Sequence, residues 1–312
     1  MTEPETQRFK ELADTLRVAP GADVELARDF DPAFRAGWRK REATDTLQRN
    51  IELLADCQDR LAAEARRGLL VVLQGIDAAG KDGTVRHVMS GVNPQGVTVR
   101  SFKVPSADEL GHDFLWRYAC ALPGRGQIGI FNRSHYEEVL VVRVHPELLE
   151  NERVPDGAPA DELWHRRYRD INDWERHLSD NGFRIVKLFL NLSKEEQRIR
   201  FLKRIDLAEK NWKFSASDAH ERRYWDDYQV AFSRMLSHTS TDWAPWYVIP
   251  ADRKWFARIA VSAVIITTLM ELDPEYPTIS DEERQALERV RAELEAEAPA
   301  GAAADPFADG QR

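Results

Sequence analysis

The segment GIDAAGKDGT, Gly75 to Thr84, has the residue types and spacing to grip phosphate. Gly75, Gly80 and Lys81 fit the G-x-x-x-x-G-K part of the Walker A pattern. Glycines let successive backbone N–H groups curl around phosphate oxygens. A following helix adds the partial positive charge of its N-terminus, and the lysine neutralises the outer phosphates. The bland alternative is a glycine-containing turn with an incidental lysine; the apolar run LLVVLQ before the loop and the helical VRHVMSG after it favour phosphate. Gly75, Ala78, Ala79, Gly80, Asp82, Gly83 and Thr84 are therefore candidate phosphate contacts, and Lys81 the candidate catalytic cation. The loop departs from the pattern at one position. Asp82 follows Lys81 where a Ser or Thr would hold magnesium, and Thr84 comes two residues late. Asp77, inside the loop, offers a carboxylate that either takes over the metal or makes a turn-stabilising Asx contact.

A second constellation is GIFNRSHYEEVLVVRVHP. The run QIGIFN reads as a strand that delivers Asn132 and Arg133 to its carboxyl end, where ligands bind in open α/β sheets. A Walker B strand would end in Asp; Asn132 can hydrogen-bond but carries no charge. Arg133 is placed to pair with phosphate. Glu137 reads equally as a metal or acceptor-polarising carboxylate and as a surface residue, whereas Glu138 reads as a solvated helix face. A third is EEQRIRFLKRIDLAEKNWKFS, in which Arg200, Lys203 and Arg204 stand at i, i+3 and i+4 and so share one helix face. With Lys210 and Lys213 they concentrate positive charge, either for an anionic ligand or as a face balanced by Glu195, Glu196 and Asp206. Lys103, after the run VTVRSF, is a further candidate phosphate contact. Four histidines (His87, His112, His135 and His145) lack metal-ligand spacing and read as structural. Trp225, Tyr228, Trp243 and Trp246 read as core, while Trp212 and Phe214 flank the basic linker.

These residues need a frame. Five short β-branched or aromatic runs begin near Leu69, Val97, Gln127, Ile185 and Pro245, separated by amphipathic helical stretches such as 40–67. Near-continuous apolar strands alternating with helices predict a doubly wound parallel sheet covered on both faces. Between the fourth and fifth strands lie two helical segments, Ser193 to Asp206, opening with the capping-box pair Ser193 and Glu196, and about Ser217 to Leu236. An extra helical pair here, about 193–236, is expected to be a movable lid. Residues 1–40 are expected to carry a short helix and then a Pro- and Asp-containing stretch, PGADVELARDFDPAF, that wraps the surface of a single domain, 1–280, and 281–312 to form a charged helix and a disordered tail.

Composition narrows the partners. The formal net charge of −9 excludes a general nucleic-acid binder, so any polyanion must meet a local cluster of Lys and Arg. The polar start MTEPETQRFKEL is no secretory signal, and the apolar run Ile259 to Leu269 is short and reads as a buried helix, so a cytoplasmic protein without membrane partners is expected. Cys57 and Cys120 read as buried thiols.

Taken together, GIDAAGKDGT, SFKVPSADELGHDFLWR, IGIFNRSHYEEVLVVRVHP, RFLKRIDLAEKNWKFS and TSTDWAPWYVIPADRKWFAR resemble the polyphosphate kinase 2 family over most of 29–271. The resemblance implies a P-loop kinase, a three-layer α/β/α fold with a five-stranded parallel sheet and an inserted helical lid. It implies phosphoryl transfer between inorganic polyphosphate and AMP, ADP or ATP, with guanine nucleotides as further candidates. Magnesium would be the cofactor, replaceable by manganese, and the protein a homodimer or homotetramer. By motif position Asp77 and Lys81 would be the principal catalytic residues, Arg133 a phosphate contact, and Arg200 and Arg204 lid arginines. Asn132, standing for the family's aspartate, matches the subgroup that accepts both nucleoside mono- and diphosphates and raises Glu137 as the replacement metal ligand beside Asp77. The competing readings are an ATP-dependent nucleotide kinase and a non-catalytic polyphosphate- or nucleotide-binding protein.

Overall fold

A computed structural model describes residues 3–152, 160–213 and 220–297. Five strands, β1 (Gly68–Gln74), β2 (Val97–Ser101), β3 (Ile128–Asn132), β4 (Phe183–Asn191) and β5 (Trp246–Pro250), form one sheet in the order β2-β3-β1-β4-β5, with every pair parallel. The chain leaves β1 for the β2 edge, returns at β3 beside β1, then crosses to β4 and β5. The carboxyl ends of β1 and β3 therefore lie side by side at the point where the winding reverses, with Leu73 paired to Asn132.

Strand periodicity sorts the side chains between two helical layers. On β1, Leu69, Val71 and Leu73 face a core shared with α1 (Glu3–Leu16), α2 (Ala43–Glu64) and α7 (Lys254–Leu272), while Leu70 and Val72 face the opposite core. That second core is closed by α4 (Ala160–Asp180) and α6 (Trp225–Thr239). All seven β1 residues are buried, so their large apolar side chains contribute about 1.5–3 kcal/mol each. The remaining long helices of this unit are α3 (Lys81–Val88), which follows the phosphate loop, and α5 (Lys194–Asp206).

Several expectations change. α6 is not lid material, because Tyr228, Ala231, Phe232, Met235 and Leu236 are buried in the second core. Residues 1–40 do more than wrap the surface. Phe9, Leu12, Ala13 and Leu16 belong to the first core, Val18 N donates to Trp246 O at 2.9 Å, and Arg17 bridges Tyr247 antiparallel to β5. The capping box at Ser193 is half formed. Ser193 Oγ accepts from Glu196 N, but Glu196 turns to Arg200 and Asp252 takes the Ser193 N–H. Cys57 is buried as expected, whereas Cys120 is exposed. α7 spans 19 residues and holds an 18-residue window with a mean hydropathy of 1.6, long and apolar enough by composition to cross a bilayer, yet most of that window is core. Residues from Tyr276 onward form a second unit with α8 (Asp281–Ala296), opened by a complete capping box of Ser280 and Glu283.

Candidate active site

β1 ends at Gln74 and the loop begins at once. A side chain at Gly75 would press on the Leu190 carbonyl, its Cβ 3.0 Å from that oxygen, and Gly80 holds φ +105° as it enters α3, so glycine is required at both. Lys81 opens α3 and folds back over the loop, its Nζ donating to Gly75 O at 2.5 Å and Ile76 O at 3.4 Å. Burial, then the nearby Arg133 charge, pushes this ammonium down to about 8, against the pull of Asp77, Glu137 and Asp82. Thr84 is buried in the same turn.

β3 delivers the second half. Asn132 Nδ2 donates to Asp82 Oδ1 at 2.7 Å. The carboxylate expected at the strand end and the neutral side chain expected after the lysine have thus exchanged places across one hydrogen bond. Arg133 adopts φ +64°, a left-handed conformation that costs about 1–2 kcal/mol and aims its side chain across the loop. Its Nη2 donates to Asp77 Oδ1 at 2.9 Å and its Nη1 to Glu137 Oε2 at 3.4 Å. Asp77 and Glu137 thereby flank one guanidinium. Asp77 and Glu137, two oxygen-donor carboxylates beside a phosphate loop, are the residues that could hold a hard cation such as magnesium. No cluster of three or more His, Cys, Asp or Glu side chains stands ready for a metal among the described residues.

Glu138 is not a solvated residue. The segment after β3 is a 3₁₀ turn, His135–Val139, which swings Glu138 inward to accept from the Tyr118 hydroxyl at 2.9 Å. Burial, then Glu152, pushes its carboxyl up to about 7.

Arg200 is committed inside the protein. Its guanidinium donates to the loop carbonyls of Ala78 and Ala79, to the carbonyls of Ala251 and Asp252, and to Glu196. It braces the phosphate loop from α5, and Gln197 adds a bond to Asp77 O at 2.9 Å. Lys203 is exposed and Arg204 lies over the Phe201 ring; both line the same groove as Lys81. Lys103 also lines it, positioned by the bond from Arg117 to its carbonyl. The side chains of Lys210, Trp212 and Lys213, and Phe214 as a whole, lie outside the described residues.

That groove has a volume of ≈ 1000 Å³, and the described residues along it include nine Lys or Arg against three carboxylates, Asp77, Asp82 and Glu209. Sequence reasoning missed three of the cations. Arg86 stands on α3, and Lys254 and Arg258 share a face at the start of α7. Their i, i+4 spacing in RKWFAR was the available signal. Burial, then Arg86, pushes Arg258 down, so like charges crowd here. Behind the Asp77–Arg133 pair a second, small pocket of ≈ 40 Å³ is lined by Gly75, Ile76, Glu137, Tyr228 and Phe232 among others. Asp77 and Arg133 line both spaces and form their shared wall.

Comparison with known proteins agrees with this geometry. Residues 38–277 match the family model described as Polyphosphate kinase 2. An ADP-polyphosphate phosphotransferase from Rhodopseudomonas palustris is 51% identical over 282 residues, covering 89% of this chain and 96% of the relative. An AMP/ADP-polyphosphate phosphotransferase from Meiothermus ruber is 47% identical over 266 residues, covering 84% and 94%. The crystal structure of polyphosphate kinase 2 from Arthrobacter aurescens superposes with a TM-score of 0.80 at 41% identity, covering 88% of this chain and 95% of that one. The five-stranded parallel sheet, its loop at the carboxyl ends of β1 and β3, and these matches place the chain in the polyphosphate kinase 2 family.

Proposed function

We propose that this chain moves a phosphoryl group between inorganic polyphosphate and nucleoside mono- or diphosphates, converting AMP and ADP to ADP and ATP or running the reverse. The observation that carries this reading is the shared wall. A large basic groove and a small pocket meet at Asp77 and Arg133, so a donor in one and an acceptor phosphate in the other would touch there. Polyphosphate suits the groove, because a polymer of like charges needs cations spread over several elements, here α3, α5, α7 and the turn after β2. The nucleotide's phosphate end suits the Glu137–Tyr228 side. Its entry displaces side chains of a pocket that is small as it stands.

Phosphoryl transfer asks for in-line positioning and charge neutralisation rather than covalent help. Lys81 and the loop N–H groups hold the donor phosphates. Arg133, already drawn between Asp77 and Glu137, neutralises the group in flight and fixes both carboxylates. Asp77 and Glu137 are the residues that would hold magnesium, which when bound supplies further neutralisation of the phosphate oxygens. Arg200 keeps the loop closed by occupying its carbonyls. A nucleotide substrate supports a cytoplasmic setting.

The test is a steady-state assay with polyphosphate, magnesium and AMP or ADP. Asp77→Asn and Lys81→Ala are each expected to lower kcat about 10²–10³-fold, the usual loss when one preorganised charge is removed. Near-parental rates in both variants would sink the reading.

A further inference from the structure

Beneath the catalytic turn lies an ion pair that touches no substrate space. Lys187, in the middle of β4, and Glu175, on α4, are both fully buried and meet at 2.6 Å. Lys187 Nζ also donates to the Tyr136 hydroxyl at 2.8 Å and to Thr239 O at 2.5 Å, which uses all three of its protons. The Tyr136 hydroxyl in turn donates to Glu175 Oε1 at 2.8 Å, and His135 Nε2 approaches the same oxygen at 3.1 Å. The two charges are therefore locked onto consecutive residues of one turn.

That turn has two faces. Arg133, just ahead of it, reaches Asp77 in the phosphate loop and is met by Glu137, while His135 and Tyr136, with no exposed surface, point down to Glu175 and Lys187. Ser134, between the faces, accepts from Gln74 at 3.1 Å and so ties the turn to the end of β1. The turn carries a left-handed Arg133, a conformation that persists only where the surroundings over-determine it. A desolvated ion pair is a poor way to add stability, because apolar residues of similar volume commonly serve a core equally well. What it supplies is geometry: directional bonds that admit one position of Tyr136 and His135.

We infer that Glu175 and Lys187 are positioning residues for phosphoryl transfer, holding Arg133 and Glu137 in place through Tyr136 and His135. The inference rests on reading Asp77, Arg133 and Glu137 as the reacting centre. Positioning partners behind a functional group commonly carry 10–100-fold in activity.

The experiment replaces both charges at once, Glu175→Leu with Lys187→Met, and separately removes the hydroxyl that both hold, Tyr136→Phe. Asp77→Asn runs beside them in the same polyphosphate-and-ADP assay. The double variant is expected to keep a cooperative thermal transition within about 10 °C of the parent. Its kcat should fall about 10–100-fold with the KM for polyphosphate changed less than about threefold. Tyr136→Phe should show the same split at about 5–10-fold, and it decides the matter if the double variant does not fold. Parental kcat in a folded double variant or in Tyr136→Phe overturns the inference, as does a loss that appears in KM instead. If Asp77→Asn also retains parental activity, the reading of the centre has failed rather than the positioning role.

Discussion

Lys81 and Lys187 are both lysines withdrawn from water, and they differ in where their counter-charge sits. Lys187 has a carboxylate at 2.6 Å, and burial lowers its basicity against the pull of Glu175. Among the described residues Lys81 bonds to the carbonyls of Gly75 and Ile76, with its carboxylates acting at a distance, and is driven down to about 8. A cation matched inside the protein shapes the fold. One that is buried, under-matched and open to a groove is a site for an incoming anion. Arg200 and Arg258 repeat the contrast among the arginines. Arg200 is spent on four carbonyls and Glu196, whereas Arg258, pushed down by burial and then by the charge of Arg86, has a like charge for an electrostatic neighbour.

The sharpest way to break the comparison is Lys187→Met alone. It strands the buried Glu175 charge and should cost about 3–5 kcal/mol in denaturant unfolding. A loss under about 1 kcal/mol would mean that Glu175 finds its neutrality elsewhere.

The second test titrates Lys81. Burial pushes its pKa down to about 8, and a bound phosphate favours the charged form, so binding takes up a proton at alkaline pH. The KM for polyphosphate should therefore hold steady below pH 8 and rise above it, by at most about tenfold per unit. A profile that is flat to pH 9.5, or tightens, contradicts the assignment.

The smallest effect is expected at Arg258→Ala. Relief from Arg86 partly offsets the lost attraction, so the KM for polyphosphate should rise only about three- to tenfold, with kcat held. A change confined to kcat would move Arg258 out of the groove and toward the chemistry.

Much of this was readable in advance where chemistry is local. The Gly75–Thr84 loop, the five strands and the placing of Asn132 and Arg133 at a strand end depend on short-range pattern, and the structure has them there. What escaped depends on tertiary aim. Glu138 followed a helical period on paper, but a 3₁₀ turn gives it a different direction and buries it. Arg200 shares a face with Lys203 and Arg204 by spacing, yet that face meets the loop carbonyls only because α5 lies against them. Arg86 and the Lys254–Arg258 pair come from two helices far apart in the chain, which no local pattern brings together. Lys187 did leave a trace, a lone charge inside the apolar run IVKLFLNL.

The N-terminal segment carries a practical consequence. The match to the family model starts at residue 38, yet Phe9, Leu12, Ala13 and Leu16 are core and Val18 is hydrogen-bonded alongside β5. A boundary drawn at the start of the family model would uncover both an apolar helix layer and the rim of the sheet, inviting strand-on-strand aggregation. The residues that the family model matches and the residues that close the core of this fold begin at different places.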